Sequence, residues 1–343
     1  MILQHHNQRD IILLITHSSD YFTIDRVAQA VLKRGAQPFR LDTDKFPIEV
    51  QLKAHLSKFG NTHTLKYGDN SITSQQVKGV WMRRIWHPQF SKLAPQFEAA
   101  CVRESIATLQ GFWDSLKHAR WVDDLQRINA VENKLYQLRI AQEVGLTIPE
   151  TIVTNAPEQA QKFFHKLKGK MVAKLLTPLS YSMESLYEFL YTSLVKEEDL
   201  LDAEALRYCP MVFQEQIPKQ RELRVIYVNG KLFVGALDAS KYEKITVDWR
   251  RVNPNTCVWE PHELPAEISL RLNSFMARVG LTFGAFDFIQ TPSGEYVFLE
   301  INPVGEWGML ERDLNYAISD AIAEALVSTT SSTNSKIGYF ANV

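Results

Sequence analysis

The stretch "GEYVFLEINPVGEWG", residues 294–308, is an apolar strand that closes on Glu300 and Asn302 with a proline directly after. At a surface, any polar pair would do there. Inside a domain those groups need partners, because burying an unpaired charge is costly. Together with the residues before it, "FGAFDFIQTPSGEYVFLEIN" reads as a hairpin turning at Pro292, Ser293 and Gly294. With residues 291 and 294 opposite each other, Asp287 faces Phe298 and Glu300 faces Ala285. Strand alternation then sends Asp287, Glu300 and Asn302 to one face, with the two carboxylates as diagonal neighbours. Two carboxylates and an amide oxygen make a hard-oxygen set suited to Mg2+, with phosphate oxygens completing the shell. The alternative is a solvated polar face, and the apolar flanks "AFDFI" and "YVFLEI" argue against it.

A second hairpin, "RELRVIYVNGKLFVGALDAS", turns at Asn229-Gly230, a strong two-residue loop signal. Its register sets Arg224 against Gly235, leaving open space beside a guanidinium that can fork onto a phosphate. Lys174 in "MVAKLL" is a charge among apolar residues and needs an anion, while Lys134 in "ENKLYQL" sits at a helix start. The segment "MVFQEQIPK" carries an apolar strand into Gln214, Glu215, Gln216 and Ile217. Its backbone suits an adenine edge, as a hinge between lobes does. Singly, each of these is an ordinary surface residue.

The whole chain sets the bounds. Its 343 residues favour two or three packed units, and 45% hydrophobic with 22% charged residues is a globular profile. A net charge of -1 offers no field for nucleic acid or an anionic membrane. Three widely spaced cysteines, Cys101, Cys209 and Cys257, suggest reduced thiols. With no signal-peptide pattern and no membrane-length apolar run, a cytoplasmic protein is expected.

At the N-terminus "DIILLITHSSD" reads as a buried strand, "YFTIDRVAQAVLKRG" as a helix stopping at Gly35, and "AQPFRLDTDKFP" as a second strand. This is a βαβ pattern. The turn "THSSDYF" has no glycine, however, so a dinucleotide-binding role for Asp42 fails. Asp42 and Asp44 are expected to be solvated or capping. Beyond "VWMRRIWHP" a helical stretch runs to about residue 120, and "NAVENKLYQLRIAQEVG" reads as one helix ending at Gly145. From residue 170 strands dominate, an α+β region with an antiparallel sheet, interrupted by a helix over 265–280. The tail "STTSSTNS" (328–335) reads as a flexible end.

In order, Lys134, Lys174, "QEQI" (214–217), "ELR" (222–224), Asp287 and "EIN" (300–302) resemble the ATP-grasp family. "FRLDTDKFP", "VWMRR", "YCPMVFQEQIPK", "VDWR" and "FLEINPVGEW" further resemble its microviridin (graspetide) macrocyclases, across nearly the whole chain. The fold class is thus α/β and α+β, an ATP-grasp fold behind an N-terminal Rossmann-like (pre-ATP-grasp) domain. The implied division is an N-terminal domain over 1–115, a central subdomain over 116–210, a C-terminal subdomain over 211–330 and a tail over 331–343. One departure stands out. The family's glycine-rich phosphate loop is replaced by "LTPLSYSMESLYEFLYTS", with Ser180 and Ser182 as partial substitutes and "SLYEFLYTS" as a candidate strand.

The resemblance implies ATP and Mg2+ as cofactors. Lys134, Lys174, Gln214, Glu215, Ile217 and Glu222 would bind nucleotide, and Asp287, Glu300 and Asn302 would hold the metal. Arg224 and Arg250 would face the phosphates. The activity implied is ω-amide (lactam) ring closure between Asp/Glu and Lys side chains of a precursor peptide, through an acylphosphate. Lactone closure by the same family, or addition of free amino acids to a protein tail, are the alternatives. The partner implied is a precursor peptide with a helical leader and an acidic core. Glu198 and Asp199 in "KEEDLLDAEAL" would meet the leader, or simply serve a helix N-terminus. Arg83 and Arg84 would meet the acidic core, or pair within the N-terminal unit. A homodimer is also implied. No general base is evident; His17 and His87 are candidates only by residue type.

Overall fold

The computed structural model describes residues 9–88, 90, 92–176, 192–201, 203–241 and 257–328. The N-terminal layer begins with β1 (Ile11–Thr16), α1 (Thr23–Lys33) and β2 (Gln37–Asp42). β1 is buried at every position, as a central parallel strand must be. β2 runs parallel to it, from Ile11 opposite Gln37 to Thr16 opposite Asp42. An antiparallel meander that sequence patterning did not reveal follows: β3 (Val50–Ser57), β4 (Gly60–Tyr67) and β5 (Asn70–Thr73). After it come β6 (Val77–Met82), α2 (Pro95–Asp114) and β7 (Arg120–Val122), and the parallel sheet is ordered β2-β1-β6-β7.

Two expectations change here. Asp42 is not solvated: it is buried, accepting from Arg40 Nε at 2.8 Å and from the Tyr67 hydroxyl at 3.0 Å. Burial, with Asp42 adding to it, pushes the Tyr67 hydroxyl up to about 12. Asp44 does cap, accepting from the Ser18 N–H and hydroxyl at 2.8 and 2.6 Å. The expected single helix also divides, into α3 (Leu125–Val131) and α4 (Lys134–Glu143). Asn133 causes the break, because its side chain accepts from the Leu135 and Tyr136 N–H groups and starts a new helix.

The strands after residue 146 divide between two antiparallel sheets rather than one. The first is ordered β10-β9-β11-β8. It comprises β8 (Thr151–Thr154), β9 (Met171–Lys174), β10 (Ser193–Leu194) and β11 (Met211–Glu215), backed by α5 (Pro157–Lys166). It has its own core of Ala160, Phe163, Phe164, Met171, Leu206 and Phe213. The second is ordered β14-β13-β12-β15-β16. Its strands are β12 (Arg221–Val228), β13 (Lys231–Asp238), β14 (Glu260–Pro261), β15 (Phe283–Gln290) and β16 (Tyr296–Asn302). Its helices are α6 (Ala266–Val279), α7 (Gly308–Leu314) and α8 (Ile318–Val327).

One face of the second sheet buries Val225, Phe286, Phe288 and Phe298 against Phe275 of α6, in the core that also holds Leu13 and Ile15 of β1. The other face is split along its length. Ile226, Val228, Phe283 and Ala285 share a core with α1, α8 and Trp307. Beyond them the same face carries Arg224, Asp287, Glu300 and Asn302. The candidate site is the polar end of a face whose other end is packed into this core. Among the described residues no helix is long and apolar enough to cross a membrane.

Candidate nucleotide and metal site

The β15–β16 hairpin departs from the expected register in two steps. At the turn, Gln290 pairs with Tyr296 and Phe288 with Phe298; a bulge between Asp287 and Phe288 then sets Asp287 opposite Glu300 and Ala285 opposite Asn302. The turn pairing alone would place Leu299 opposite Asp287 and turn Glu300 away. The bulge absorbs Leu299, so Phe298 faces the core and Glu300 faces the site. Asp287, Glu300 and Asn302 therefore share one face, with the carboxylates directly opposed rather than diagonal.

Each carboxylate has a cation beside it. Arg224 sits opposite Asp287 and donates Nη1 to its Oδ1 at 2.8 Å, while Lys134 Nζ is 3.3 Å from Glu300 Oε2. Asn302 Nδ2 lies 3.4 Å from Asp287 Oδ2. The expected pairing of Arg224 with Gly235 holds, but the space over Gly235 is filled by Leu310 and Trp259. The guanidinium instead runs toward the loop after β16. Gly305 is required in that loop, since a Cβ there would lie 2.6 Å from Arg224 Nη2 and 2.5 Å from the Ala285 Cβ.

Lys134 reaches Glu300 because α4 is tied to β16. Gln137, one turn on and 2% exposed, donates Nε2 to the Ile301 carbonyl at 2.8 Å and accepts from the Ile301 N–H at 3.0 Å. The same Nε2 donates to Val131 O at 2.7 Å. Sequence reading passed over Gln137, for nothing in "ENKLYQL" marks it beyond its being a polar residue beside apolar ones.

The remaining candidates are spread around this group. Lys174 is half-buried at the end of β9, opposite Val212 of β11. Gln214 is buried and donates to Thr151 Oγ1 at 2.9 Å, so its side chain serves the central sheet. Glu215 and Ile217 line a cleft of about 440 Å³ with Ile148, Pro218, Pro292 and Val297. That cleft lies at the turn end of the hairpin and does not include the carboxylates. Glu222 is buried on β12 in an ion pair with Lys219. Glu198 and Asp199 are exposed in a short 3-10 turn (Glu197–Leu200) rather than a helix, and Asp199 accepts from the Lys196 N–H at 2.8 Å. Arg250, Ser180, Ser182, the segment "SLYEFLYTS" and the tail from residue 329 lie outside the described residues.

Arg83, at the C-terminal end of β6, is 2% exposed. It donates to Val304 O at 2.7 Å and pairs with Glu306, with Asp20 at 3.9 Å. Arg84 next to it is half-buried. His17 is 4% exposed and stacked on Trp86 at 3.7 Å, and burial lowers its pKa; His87 is exposed. Glu306 is a site residue that sequence reasoning missed, although it stands in the quoted "GEW".

The donor set fits a Mg-nucleotide. Two carboxylates and an amide leave most of an octahedral shell for phosphate oxygens and water. Among the described residues there is no cluster of three or more His, Cys, Asp or Glu, the kind that would bind a metal by itself.

Comparison with known proteins gives the family. A model of the MvdD pre-ATP grasp domain matches residues 11–129. The macrocyclase MdnB from Microcystis aeruginosa MRC is 57% identical, over 93% of this chain and 99% of its own, with a TM-score of 0.80. The macrocyclase MdnC from the same organism, solved with the precursor peptide MdnA, is 33% identical over 92% and 99%, with a TM-score of 0.83. A Chryseobacterium gregarium RiPP-associated ATP-grasp ligase, solved with ADP and a leader and core peptide, is 31% identical over 92% and 96%, with a TM-score of 0.85. Identity at this level over nearly the full length of both chains means that the protein belongs to the ATP-grasp macrocyclases of microviridin biosynthesis, ADP-forming carboxylate–amine ligases.

Proposed function

We infer that this enzyme closes ω-amide rings between Asp/Glu and Lys side chains of a ribosomally made precursor peptide, using Mg-ATP. The observation that carries the reading is the convergence of Asp287, Glu300 and Asn302 on one face, with Arg224 and Lys134 beside the carboxylates. Asp287, Glu300 and Asn302 would hold Mg2+, which would supply positive charge to the nucleotide phosphates. Arg224 and Lys134 pair with two of those groups, Asp287 and Glu300. Both cations stand beside these carboxylates, where they would also be in place to meet phosphate oxygens. Lys174 and Arg250 add to them, and the hinge at Glu215 to Ile217 receives adenine. The hinge lies by the turn of the hairpin, and the carboxylates lie further along its strands. Thr291 is four positions on from Asp287, about 13 Å at the usual strand rise.

A peptide carboxylate then attacks the γ-phosphorus. The new bond is carboxyl oxygen to phosphorus, and ADP leaves. The lysine amine of the same peptide displaces phosphate from the acyl carbon and loses a proton. The residues here position charge and hold the reactants close rather than forming covalent intermediates. Glu198 and Asp199 are assigned to the leader and Arg84 to the acidic core. A cytoplasmic setting, which the free thiols of Cys101, Cys209 and Cys257 suit, and a homodimer complete the reading.

The test is the intact mass of a microviridin-type precursor incubated with the purified protein and Mg-ATP. One water is lost per ring, and Glu300→Gln abolishes the change. Rings that resist mild methanolysis are amides; rings that open are esters, which would give the activity to the lactone branch. No mass change, even on a precursor carrying pre-formed ester rings, would overturn the reading in favour of a protein-tail ligase.

A further inference from the structure

Glu306 joins the two halves of the molecule. It lies between β16 and α7, and both its backbone and its side chain are engaged. Its carbonyl accepts from Arg224 Nε at 3.2 Å and Nη2 at 2.9 Å. Its carboxylate accepts from the Trp307 and Gly308 N–H groups at 3.1 and 2.9 Å through Oε1, and from Arg83 through Oε2. Burial works against the ionised form of Glu306, but Arg83 and the two N–H groups outweigh it and hold its pKa below the ordinary value.

Arg83 is anchored at the end of β6, and its other arm holds the neighbouring Val304 carbonyl. A continuous set of contacts thus runs from the N-terminal sheet through Arg83, Glu306 and Arg224 to Asp287. One edge of the Arg224 guanidinium, Nε with Nη2, is occupied by the Glu306 carbonyl. That leaves Nη1, now on Asp287, as the nitrogen that can turn to a ligand. Without that anchor an arginine on a strand samples several rotamers, and only some of them point into the site.

The geometry points to Glu306 as a positioning residue. Held by Arg83, it fixes the carbonyl that aims Arg224 at the nucleotide phosphates, so the N-terminal domain sets the pose of a cation in the ATP site. This rests on the reading of Arg224 as a phosphate contact. A helix cap alone would explain the two N–H contacts but neither the Arg83 pair nor the fork from Arg224.

The test is a double-mutant cycle on the full chain, comparing wild type, Glu306→Ala, Arg224→Lys and the double variant. Calorimetry reads the Kd for a Mg-bound, non-hydrolysable ATP analogue, and a thermal midpoint is taken for each protein. Glu306→Ala is expected to weaken binding about tenfold, but to add no more than about twofold once Arg224 is already lysine, because coupled residues do not add. Glu306→Gln, which keeps an acceptor for the N–H groups but loses the charge facing Arg83, should fall between wild type and Glu306→Ala. Fully additive losses, or wild-type affinity in Glu306→Ala, overturn the inference. If Arg224→Lys itself binds like wild type, the phosphate role of Arg224 fails first and takes the inference with it. Should Glu306→Ala lose its cooperative transition, Glu306→Gln carries the same cycle.

Discussion

The side chain of Gln137 clasps Ile301 from both sides, donating a hydrogen bond to its carbonyl and accepting one from its N–H. An amide on a helix here completes the backbone pairing of the sheet's last strand. It does so between Glu300 and Asn302, so α4 and the metal-facing end of β16 are held as one piece. Lys134, one helical turn before Gln137, comes within reach of Glu300 for that reason.

Gln137→Leu should therefore be among the more damaging single changes near the site. It strips partners from a buried N–H and a buried carbonyl, each worth about 1–3 kcal/mol when left unsatisfied. A loss of roughly 2–6 kcal/mol in urea unfolding is expected, together with weaker nucleotide binding as Lys134 loses its register with Glu300. Gln137→Glu keeps the acceptor for Ile301 N–H but loses the donor and adds a buried charge. It should be comparably unstable near neutral pH. A stability change within about 0.5 kcal/mol for either variant would contradict the clasp.

Gly305→Ala separates activity from stability. The added methyl meets the Arg224 guanidinium, the Ala285 Cβ and Asn302 together, so the loop has to shift. Overpacking of this kind costs about 1–3 kcal/mol. Turnover should fall further than that figure implies for the folded population, because the displaced group is the arginine itself. Parallel melting curves and ADP-release rates check this. Loss of activity that merely tracks the unfolded fraction would count against it.

The shared face of Asp287, Glu300 and Asn302 was legible from period-two alternation, yet the register behind it was not. The turn and the bulge each shift the pairing by one, and the two shifts leave Glu300 on the face that simple alternation assigned. A bulge at Leu299 has no marker in "YVFLEIN". The βαβ opening, the Asn229-Gly230 hairpin and the helix of α6 were legible because local chemistry specifies them: a buried apolar run, a turn dipeptide, a helical stripe. Gln137, Arg83 and Glu306 were not. Their partners lie 164, 221 and 223 residues away along the chain, and no local period encodes a side chain bonding to distant backbone or charge. Asp42 was misread for the same reason, since Tyr67, its buried partner, belongs to a meander that the patterning did not show.

Leader docking can be tested without disturbing the nucleotide site. Glu198 and Asp199 stand exposed in the turn that precedes Leu201, itself 80% exposed, so acidic and apolar groups adjoin there, as an amphipathic basic helix would require. Asp199 also caps its own turn through the Lys196 N–H, so Glu198→Lys is the cleaner probe. It should weaken binding of a fluorescent leader peptide by about tenfold at low salt, less at high salt, and leave Mg-ATP affinity unchanged. Exchanging both residues for lysine should weaken it further. Unchanged leader affinity in the double variant rejects the docking role.

Asp123 gives the protein a pH dependence of defined sign. It is 5% exposed, and burial pushes its pKa up to about 6 even though its carboxylate accepts from the Thr282 and Phe283 N–H groups at 2.8 Å. A carboxyl raised in the folded state binds its proton more tightly there than in the unfolded chain. Stability from this group is thus greatest below the unfolded value of 3.8 and is lost as pH rises to about 6. The size of the effect is on the order of 3 kcal/mol across that window. Other carboxylates titrate there too, so the difference between wild type and Asp123→Asn isolates it. Asn is expected to cost stability at every pH, since its NH2 group faces one of the two N–H donors. That cost should shrink between pH 4 and pH 7 as wild type loses what the variant never had. Urea midpoints at the two pH values decide the matter: a gap that widens toward neutral pH would mean that Asp123 is stabilised as the anion.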